Sequence, residues 1–424
     1  MITFLRPRHL SCTILLIPFA LHAQLITSTT AIPKTLLPPV VFLNGYQNDC
    51  SGSNFANTFG VFDQLLQATN RVSLFFDNCQ FSGKPAIETL GNDFRDYLAS
   101  LRFTDSTPVP VVDVVAHSMG GLIVRSYLAG KQTTPGMFQP PSNVNLRKVV
   151  FLATPHWGSP IASLFGLGID TQTSELANGS QFVYDLGTWN QGTDDLRGVD
   201  ALALAGNGGT GRAIATNFDD GVVSLTSASI GFAEPGRTRI VPYCHTGPGL
   251  VTLAGFCPSN APGIAVGAQA SDANATAVLS FLNGKSDWQS VGQAAEQNPL
   301  LQTGGGLEAR AASANGQFAS ISSATASKQL NVTGNAVAWT ELLPATSQDL
   351  MITSPAGQFE AKFNEPAGYV TALLVKPGPF IQRMYPAAAV PSTLAIAPGM
   401  LISIYGTGFV STAVVANSLP FPTT

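Results

Sequence analysis

The residues best suited to chemistry lie at positions 116–121, which read Ala-His-Ser-Met-Gly-Gly. A serine with small residues two positions away on either side fits a sharp turn between a strand and a helix, where its hydroxyl is exposed. An apolar run at 111–115 precedes this stretch, and a helical pattern begins at Leu122. Ser118 is therefore predicted to be a nucleophile. The backbone N–H of Met119, at the helix N-terminus, is predicted to stabilise an oxyanion.

A serine nucleophile requires a base, and the chain has few histidines. His9 and His22 fall within a predicted leader, so His117, His156 and His245 remain. The side chain of His117 is expected to point away from the nucleophile and to serve in packing, whereas His156 follows a strand and could border the site. In folds with this turn, the acid and then the histidine follow the serine along the chain. Only His245 has a suitable acid before it, so His245 is predicted to be the base.

The acid is expected in the stretch Asp-Asp-Gly-Val-Val at 219–223. Asp220 is preferred because it directly precedes Gly-Val-Val, and Asp219 is the alternative. An aspartate at a strand end can orient an imidazole through its second nitrogen. The competing interpretation is a solvated acidic turn. Three further aspartates are weaker candidates because the first lies inside a strand and the others in a possible lid: Asp113, Asp194 and Asp195.

A second oxyanion donor is expected in the loop after the first strand. Residues 44–47, Asn-Gly-Tyr-Gln, occupy that loop. The backbone N–H of Tyr46 is the candidate donor, and its ring could line the substrate pocket.

Four cysteines follow the leader: Cys50, Cys79, Cys244 and Cys257. An even number in an exported chain suggests disulfides, and four cysteines allow three pairings. Nearness in the sequence favours Cys50–Cys79 and Cys244–Cys257. The alternative is a metal site, but there is no Cys-x-x-Cys pair and only one histidine lies near these residues, so no metal is expected.

The elements that would position these residues alternate between apolar strands and helices. Strands are predicted at 40–43, 72–76, 111–115, 149–152, 201–204 and 239–241. Helices are predicted at 87–101, where apolar residues recur every three or four positions, at 122–129, and from an N-cap at Ser271 to Asn283. Strands that are apolar on both faces and alternate with helices indicate a parallel sheet covered on both sides. Residues 157–200 show no sheet pattern and are long enough for a lid.

These residues resemble those of secreted bacterial lipases and esterases of the α/β-hydrolase superfamily. The matching stretches are VVFLNGY at 40–46, the run ending in AHSMGG at 111–121, ATPHWGS at 153–159 and DDGVV at 219–223. The resemblance covers residues 38–285 and implies an α/β-hydrolase fold with a mostly parallel sheet. Such families usually have a histidine before the glycine of the first loop, where this chain has Asn44. That departure concerns the oxyanion geometry and leaves the triad unaffected.

The composition changes after Lys285. Residues 286–328 are rich in Ala, Ser, Gly and Gln and are interpreted as a linker, and 329–424 as a β-rich region of short runs broken by Pro and Gly. Residues 385–424 are similar to the opening of an immunoglobulin-like β-module that ends many secreted proteins of soil bacteria. More strands normally follow in that module, so the region is predicted to be incomplete.

The N-terminus and the composition limit the remaining function classes. Arg6 and Arg8, the apolar run 13–21 and a cleavage position at Ala23 predict a signal peptide at 1–23 and a mature, secreted catalytic domain at 24–285. The apolar run is shorter than the roughly 20 residues of a membrane span. A content of 45% hydrophobic and 11% charged residues argues against a disordered chain. The formal charge of −4 gives no basic surface for nucleic acid.

The sequence thus predicts a secreted carboxylic-ester hydrolase that acts on an ester or lipid through a Ser-His-Asp acyl-enzyme mechanism and needs no cofactor. A non-catalytic surface or adhesion protein on the same scaffold is an alternative, although all three triad positions are filled. Acyl transfer or amide hydrolysis by the same residues is another, because fold alone does not separate these reactions. No oligomeric state is predicted.

Overall fold

A computed structural model describes residues 31–295, apart from 52, 166–169, 179, 190–194, 213–218, 231–235 and 250–252. It also describes the backbone of a series of strands between 304 and 407. The predicted signal peptide, residues 1–23, lies outside the described residues. So do 387–401 and 408–424, which hold most of the stretch that resembles an immunoglobulin-like module.

A seven-stranded sheet forms the centre of the N-terminal part. Its strands are β1 (Val40–Leu43), β2 (Ser73–Phe76), β3 (Val112–His117), β4 (Leu146–Leu152), β5 (Asp200–Gly206), β6 (Thr238–Val241) and β7 (Gln293–Ala294). The strand order is β2-β1-β3-β4-β5-β6-β7. All neighbouring strands are parallel except β6 and β7, which are antiparallel. The six predicted strands are confirmed.

The described helices connect and cover these strands. They are α1 (Phe55–Phe59), α2 (Phe62–Gln67), α3 (Ile87–Ser100), α4 (Met119–Ala129), α5 (Pro160–Phe165), α6 (Thr171–Leu176), α7 (Gln181–Thr188), α8 (Leu225–Ala228) and α9 (Ala273–Leu282). Short 3-10 turns occur at Asn78–Gln80 and Asp287–Ser290. Helix α3 begins at Ile87 as its apolar periodicity predicted and ends at Ser100, one residue before the predicted end. Gly130 ends α4 in the left-handed conformation, which glycine adopts without steric cost.

The alternation of side chains along the strands creates two apolar layers. One face of the sheet, with Val114, Ala116 and Phe151, packs against α3, α4 and α7. The opposite face, with Phe42 and Val115, packs against α1, α2 and α9. Because both faces are buried, the central strands are apolar at nearly every position, which explains why runs rather than alternation marked them in the sequence. This arrangement is the α/β-hydrolase fold.

Residues 286–295 differ from the linker that the sequence predicts at 286–328. Trp288 is buried and its ring meets Phe281 of α9 edge to face, with the ring centres 5.8 Å apart. The Nε of Arg239 in β6 donates to the carbonyl of Val291 at 2.7 Å, and β7 then adds the seventh strand. The sequence did not indicate this segment because β7 is only two residues long and has no apolar run.

Beyond Ala295, the residues that the structure describes form strands. They are β8 (Gly304–Ala311), β9 (Phe318–Ser322), β10 (Ser327–Asn331), β11 (Val337–Pro344), β12 (Gln348–Ser354), β13 (Gly357–Phe363), β14 (Val370–Val375), β15 (Phe380–Pro386) and β16 (Ile402–Thr407). They form three sheets, ordered β10-β9-β12-β13, β11-β8-β14 and β15-β16. The region is β-rich as predicted. Two of its strands, β8 and β9, fall within the predicted linker.

Candidate active site

Ser118 occupies the turn between β3 and α4. It is the N-cap residue of α4, and its backbone has φ 54° and ψ −127°. A positive φ is uncommon for a residue other than glycine and is maintained only where the surroundings fix it. The N–H of Ser118 donates to the carbonyl of Leu152 in β4 at 2.9 Å, which attaches the turn to the neighbouring strand. This conformation directs the hydroxyl away from the sheet.

The small residues around Ser118 are required by close backbone approach. A Cβ on Gly120 would lie 2.6 Å from the carbonyl oxygen of Leu43 and 2.8 Å from that of Asn44. A Cβ on Gly121 would overlap the side chain of Thr154. The glycines after the serine therefore let α4 begin directly beside the ends of β1 and β4.

His245 lies in the loop after β6 and contacts Ser118. Its Nε2 is 2.9 Å from the Ser118 Oγ. The backbone N–H of His245 donates to the carbonyl of Asp220 at 2.8 Å, so main chain as well as side chain fixes its position. Both the serine and the histidine are buried, with exposures of 8% and 6%.

Asp220, rather than Asp219, contacts the histidine. The Asp220 Oδ2 is 2.8 Å from the Nδ1 of His245, while its Oδ1 accepts the N–H groups of Val222 and Val223 at 3.0 and 2.7 Å. The Oδ1 of Asp219 accepts the N–H of Gly221 instead, and burial raises the pKa of this carboxyl. Asp220 is the member of the pair that the fold brings to the imidazole.

The two predicted oxyanion donors belong to segments that flank Ser118. Met119 is the first residue of α4, so its N–H has no acceptor within that helix. On the other side, a Cβ on Gly45 would lie 2.6 Å from the Cβ of Ser118, so the loop that carries Tyr46 passes directly over the serine. Tyr46 is one of the residues that line the cleft at the serine.

The start of this loop is fixed by a buried polar network centred on Asn44, the residue that departs from the family pattern. The amide nitrogen of Asn44 donates to the Asp77 carboxylate at 2.9 Å, and its oxygen accepts the N–H of Asn78 at 3.1 Å. The Asn78 side chain donates to the carbonyl of Gly45 at 2.7 Å. Asn44 therefore holds the loop to the residues after β2. Asn78 is a functional candidate that the sequence reasoning missed, since its only signal was its position after a strand.

Two disulfides brace the loops around the site, with the pairing that nearness in the sequence favours. Cys50–Cys79 joins the segment after Tyr46 to the turn that holds Asn78. Cys244–Cys257 closes the loop that begins beside His245, and the Cys257 Sγ lies 3.1 Å from the carbonyl oxygen of Asp220.

His117 does not point away from the site as the sequence analysis expected. Its ring lies 4.9 Å from the ring of His245, and its Nε2 is 3.0 Å from the His245 carbonyl oxygen. Because a carbonyl only accepts, this nitrogen carries the proton. Burial and the neighbouring His245 lower the pKa of His117 to about 3 and keep its ring neutral. His117 therefore supports the histidine loop.

The other candidates lie apart from Ser118. His156 is fully buried, its ring meets Phe151 edge to face, and its carbonyl accepts from Arg125 of α4. It is absent from the lining of the cleft, contrary to the expectation that it borders the site. Asp113 is paired with two arginines, Arg71 and Arg147. Asp195 is buried near Arg125, and Asp194 lies outside the described residues.

A cleft of about 200 Å³ opens at the serine. Among the described residues, Ser118, His117, His245 and Tyr46 line it. The other lining residues come from the loops after Tyr46 and His245, from α1 and from the segment before α9, and they are Gln47, Thr246, Gly247, Asn57, Thr58, Gly263, Ala265 and Val266. The described part of 157–200 forms helices α5 to α7 and contributes no residue to this lining.

Across all the residues that the structure describes, no cluster of three or more His, Cys, Asp or Glu side chains is arranged to bind a metal ion. No helix there is both long and apolar enough to cross a membrane.

The fold is that of the α/β-hydrolases, and it brings Ser118, His245 and Asp220 into hydrogen-bonding contact. Residues 55–188 match the family described as "Putative serine esterase (DUF676)". This match includes Ser118 and ends before Asp220 and His245. No curated protein matches the chain.

Solved structures of similar fold include phospholipase PlaB from Legionella pneumophila. It is 12% identical, the match covers 80% of this chain and 93% of PlaB, and the TM-score is 0.55. PlaB in complex with thio-NAD is 14% identical, with coverage of 87% and 99% and a TM-score of 0.54. At these identities the likeness establishes the fold alone.

Proposed function

We propose that this chain is a secreted serine hydrolase that cleaves carboxylic esters. One observation carries the proposal: Ser118, His245 and Asp220 are joined by hydrogen bonds of 2.9 and 2.8 Å at the mouth of a cleft. The match of residues 55–188 to a serine esterase family supports the same reaction class. Other acyl-transfer enzymes share this geometry, so the experiments below are chosen to distinguish the acyl acceptor and the substrate.

In the proposed acylation step, the Ser118 Oγ attacks the ester carbonyl carbon as His245 Nε2 removes its proton. The carbonyl oxygen becomes an oxyanion, which the N–H groups of Met119 and Tyr46 stabilise. Asp220 accepts a hydrogen bond from the Nδ1–H of His245 and stays ionised, which fixes the tautomer and stabilises the imidazolium. Collapse of the oxyanion breaks the bond between the carbonyl carbon and the leaving oxygen. The imidazolium protonates that oxygen, the alcohol departs and an acyl-serine remains.

In the proposed deacylation step, His245 Nε2 removes a proton from water, which attacks the acyl carbon. Collapse of the second oxyanion breaks the bond to the Ser118 Oγ, and the serine recovers its proton from the imidazolium. Every group in this scheme is a side chain or backbone N–H of the chain, or water.

The cleft favours small esters over long-chain lipids. Its volume of about 200 Å³ is below the roughly 300–1,000 Å³ of sites that enclose drug-sized ligands. Polar side chains such as Gln47, Thr58 and Thr246 line it beside Ala265 and Val266. A long acyl chain would therefore leave much of its apolar surface against polar groups or in water. We expect turnover of p-nitrophenyl esters to be highest from acetate to butyrate and to fall towards palmitate.

The disulfides support an exported protein, because disulfides persist mainly in oxidising compartments. The predicted signal peptide at 1–23 also supports export, and Gln24 is the expected N-terminus of the mature chain. N-terminal sequencing of protein recovered outside the cytoplasm tests both statements.

The decisive experiment compares the wild-type chain with Ser118→Ala on the ester panel and with a fluorophosphonate that labels activated serines. Ser126→Ala, a buried serine of α4 whose hydroxyl has no hydrogen-bond partner among the described residues, is the matched control. We expect hydrolysis and labelling to persist in the control and to vanish in Ser118→Ala. Labelling without ester hydrolysis would redirect the proposal to an amide substrate or an alcohol acceptor. Absence of both in the wild type would favour the non-catalytic alternative.

A further inference from the structure

Three side chains from distant parts of the chain converge beside the proposed oxyanion loop. The Nζ of Lys84 donates to the hydroxyl oxygen of Tyr46 at 2.8 Å and to the Oδ2 of Asp170 at 3.0 Å. The hydroxyl of Tyr46 donates to the same Asp170 oxygen at 2.9 Å. The Lys84 ammonium also lies 4.5 Å from the centre of the Tyr46 ring. We call this closed set of contacts the Tyr46 clamp.

The Tyr46 clamp and the Asn44 network hold different residues of the same loop. The network contacts Asn44 and Gly45, whereas the clamp contacts Tyr46. Asn78 donates to the Asn44 side chain and to the carbonyl of Gly45, and Asn44 donates to the Asp77 carboxylate. The next residue, Tyr46, carries the N–H that the proposed mechanism uses. Its side chain reaches across to Asp170, the N-cap of α6. The peptide that presents this N–H to Ser118 is therefore held at one end by the network and at the other by the clamp.

We propose that Lys84 and Asp170 are positioning residues for ester hydrolysis: they fix Tyr46 so that its backbone N–H faces the developing oxyanion. This inference rests on the proposed function. The Asp170 carboxylate also connects the N-terminus of α6, within the segment 157–200, to the proposed oxyanion loop.

The clamp is poorly placed to contribute much to global stability. The side chains of Lys84 and Asp170 are 28% and 15% exposed, and partly exposed ion pairs add little to folding. Its effect is expected in the transition state, because a displacement of about 1 Å at a catalytic group can reduce turnover by about 100-fold. Loss of the clamp leaves the N–H present but less well oriented, so we expect about a tenfold reduction in kcat.

The test uses three variants of the full chain: Lys84→Met, Asp170→Asn and Tyr46→Phe. Asparagine keeps the N-cap acceptor for the Thr173 N–H, now at 2.9 Å, while it removes the charge. Lys34→Met is the matched control, because Lys34 also pairs with an aspartate, Asp105, and lies 5.2 Å from the centre of an aromatic ring. Each variant is assayed for kcat, KM and Tm on p-nitrophenyl acetate, and for inhibition by a phenylboronic acid that mimics the tetrahedral intermediate.

We expect each clamp variant to reduce kcat about tenfold, with KM within about twofold and Tm close to that of the wild type. Boronate affinity should fall in parallel with kcat, and Tyr46→Phe/Asp170→Asn should be no worse than either single change, since both remove the same unit. Lys34→Met should match the wild type. Wild-type kcat in the clamp variants, or a loss that follows Tm or KM alone, would overturn the inference. An inactive wild-type chain would instead contradict the proposed function.

Discussion

At the scale of single residues, the contacts of the site depend on a backbone that few residues adopt. Ser118 has φ 54°, and a residue held in such a region carries about 1–3 kcal/mol of strain. Strain of this kind persists only because the strand, the helix and the close approach of Gly45 leave the turn no alternative. The result is a serine hydroxyl at the helix N-terminus, in contact with His245.

The adjacent pair Asp219 and Asp220 offers a direct test of the proposed acid. Asp220→Asn keeps the size of the side chain but removes the acceptor that selects the tautomer of His245, so we expect kcat to fall by about 10⁴-fold. Asp219→Asn still offers an oxygen to the N–H of Gly221 and should change kcat by less than about threefold. Steady-state kinetics of both variants on one ester distinguish the two. Equal losses would contradict the assignment.

His156 should affect stability instead of binding. It is fully buried against Phe151 and burial lowers its pKa well below the usual value, so it is neutral in the folded chain. We expect His156→Ala to lower Tm by several degrees, because it leaves a cavity behind α4. The kcat and KM measured well below Tm should stay near wild type. A raised KM with an unchanged Tm would restore the view that His156 contacts substrate.

The contact between Ser118, His245 and Asp220 could be predicted from the sequence because each residue lies in a recognisable local pattern. The Tyr46 clamp could not, since Lys84 and Asp170 are separated by 86 residues and neither has a pattern of its own. The orientation of the His117 side chain could not be predicted either, because it depends on a contact with the carbonyl of His245, 128 residues away. Contacts between loops are decided by tertiary packing, which a local pattern does not encode.

At the scale of elements, apolar runs predicted the buried strands and apolar periodicity predicted α3, whereas short helices such as α6 and α7 were not predicted. Helices α6 and α7 have capping residues, Asp170 and Ser180, whose side chains accept from Thr173 and Val183. Each is too short to show a sustained periodicity. Tertiary contacts stabilise them, as the ion pair between Lys131 and Asp185 of α7 illustrates.

A partly buried carboxyl on α6, that of Glu175, makes the stability of the folded chain pH-dependent. Burial, and then the charge of Glu88 on α3, raise the pKa of Glu175 to about 8. Lys131 and Asp185 are the other charged groups of this cluster. The folded chain keeps the Glu175 proton up to about pH 8, while the unfolded chain releases it near its ordinary value of 4.5. Unfolding therefore releases a proton between these values, so this group makes stability fall as pH rises through that window.

Glu175→Gln should remove this dependence, because an amide keeps an acceptor for the N–H of Ile87, now at 2.7 Å, and has no proton to lose. We expect the variant to match the wild type in Tm near pH 5 and to exceed it near pH 8. Thermal unfolding at both pH values provides the measurement. Asp96→Asn, at an exposed carboxylate of α3, is the control. A Tm difference that does not change with pH would contradict the interpretation.

The loop closed by Cys244–Cys257 should support activity as well as stability, because it begins beside His245 and contacts Asp220. A bridge across a separation of 13 residues is worth about 3 kcal/mol in the chain-entropy model. We expect Cys244→Ser/Cys257→Ser to lower both the urea midpoint and kcat. Cys50→Ser/Cys79→Ser provides the comparison at the oxyanion loop. Free thiols at Cys244 and Cys257 in exported protein, found by mass spectrometry, would remove the basis of this prediction.

At the scale of the whole molecule, every proposed catalytic group lies before residue 250, while the described sheet continues to Ala294. The composition change at Lys285 marks the end of α9 and not the end of the packed unit. The sequence showed the shift in residue types but gave no sign that Trp288 returns to the core. A chain cut at the composition boundary would lose core contacts that one cut ten residues later keeps.

Two truncations therefore separate the catalytic unit from the β-rich region that follows. A chain spanning residues 24–295 retains Trp288, the Arg239 contact to Val291 and β7, so we expect it to keep the specific activity of the full chain on p-nitrophenyl acetate. A chain spanning 24–285 loses the buried indole and leaves the edge of β6 unpaired, which should cost about 3 kcal/mol or more and promote association. Activity, Tm and size-exclusion profiles of the three chains provide the measurement. If the 24–295 chain is insoluble or inactive while the full chain is active, the strands beyond Gly304 complete the core or the substrate cleft of the hydrolase.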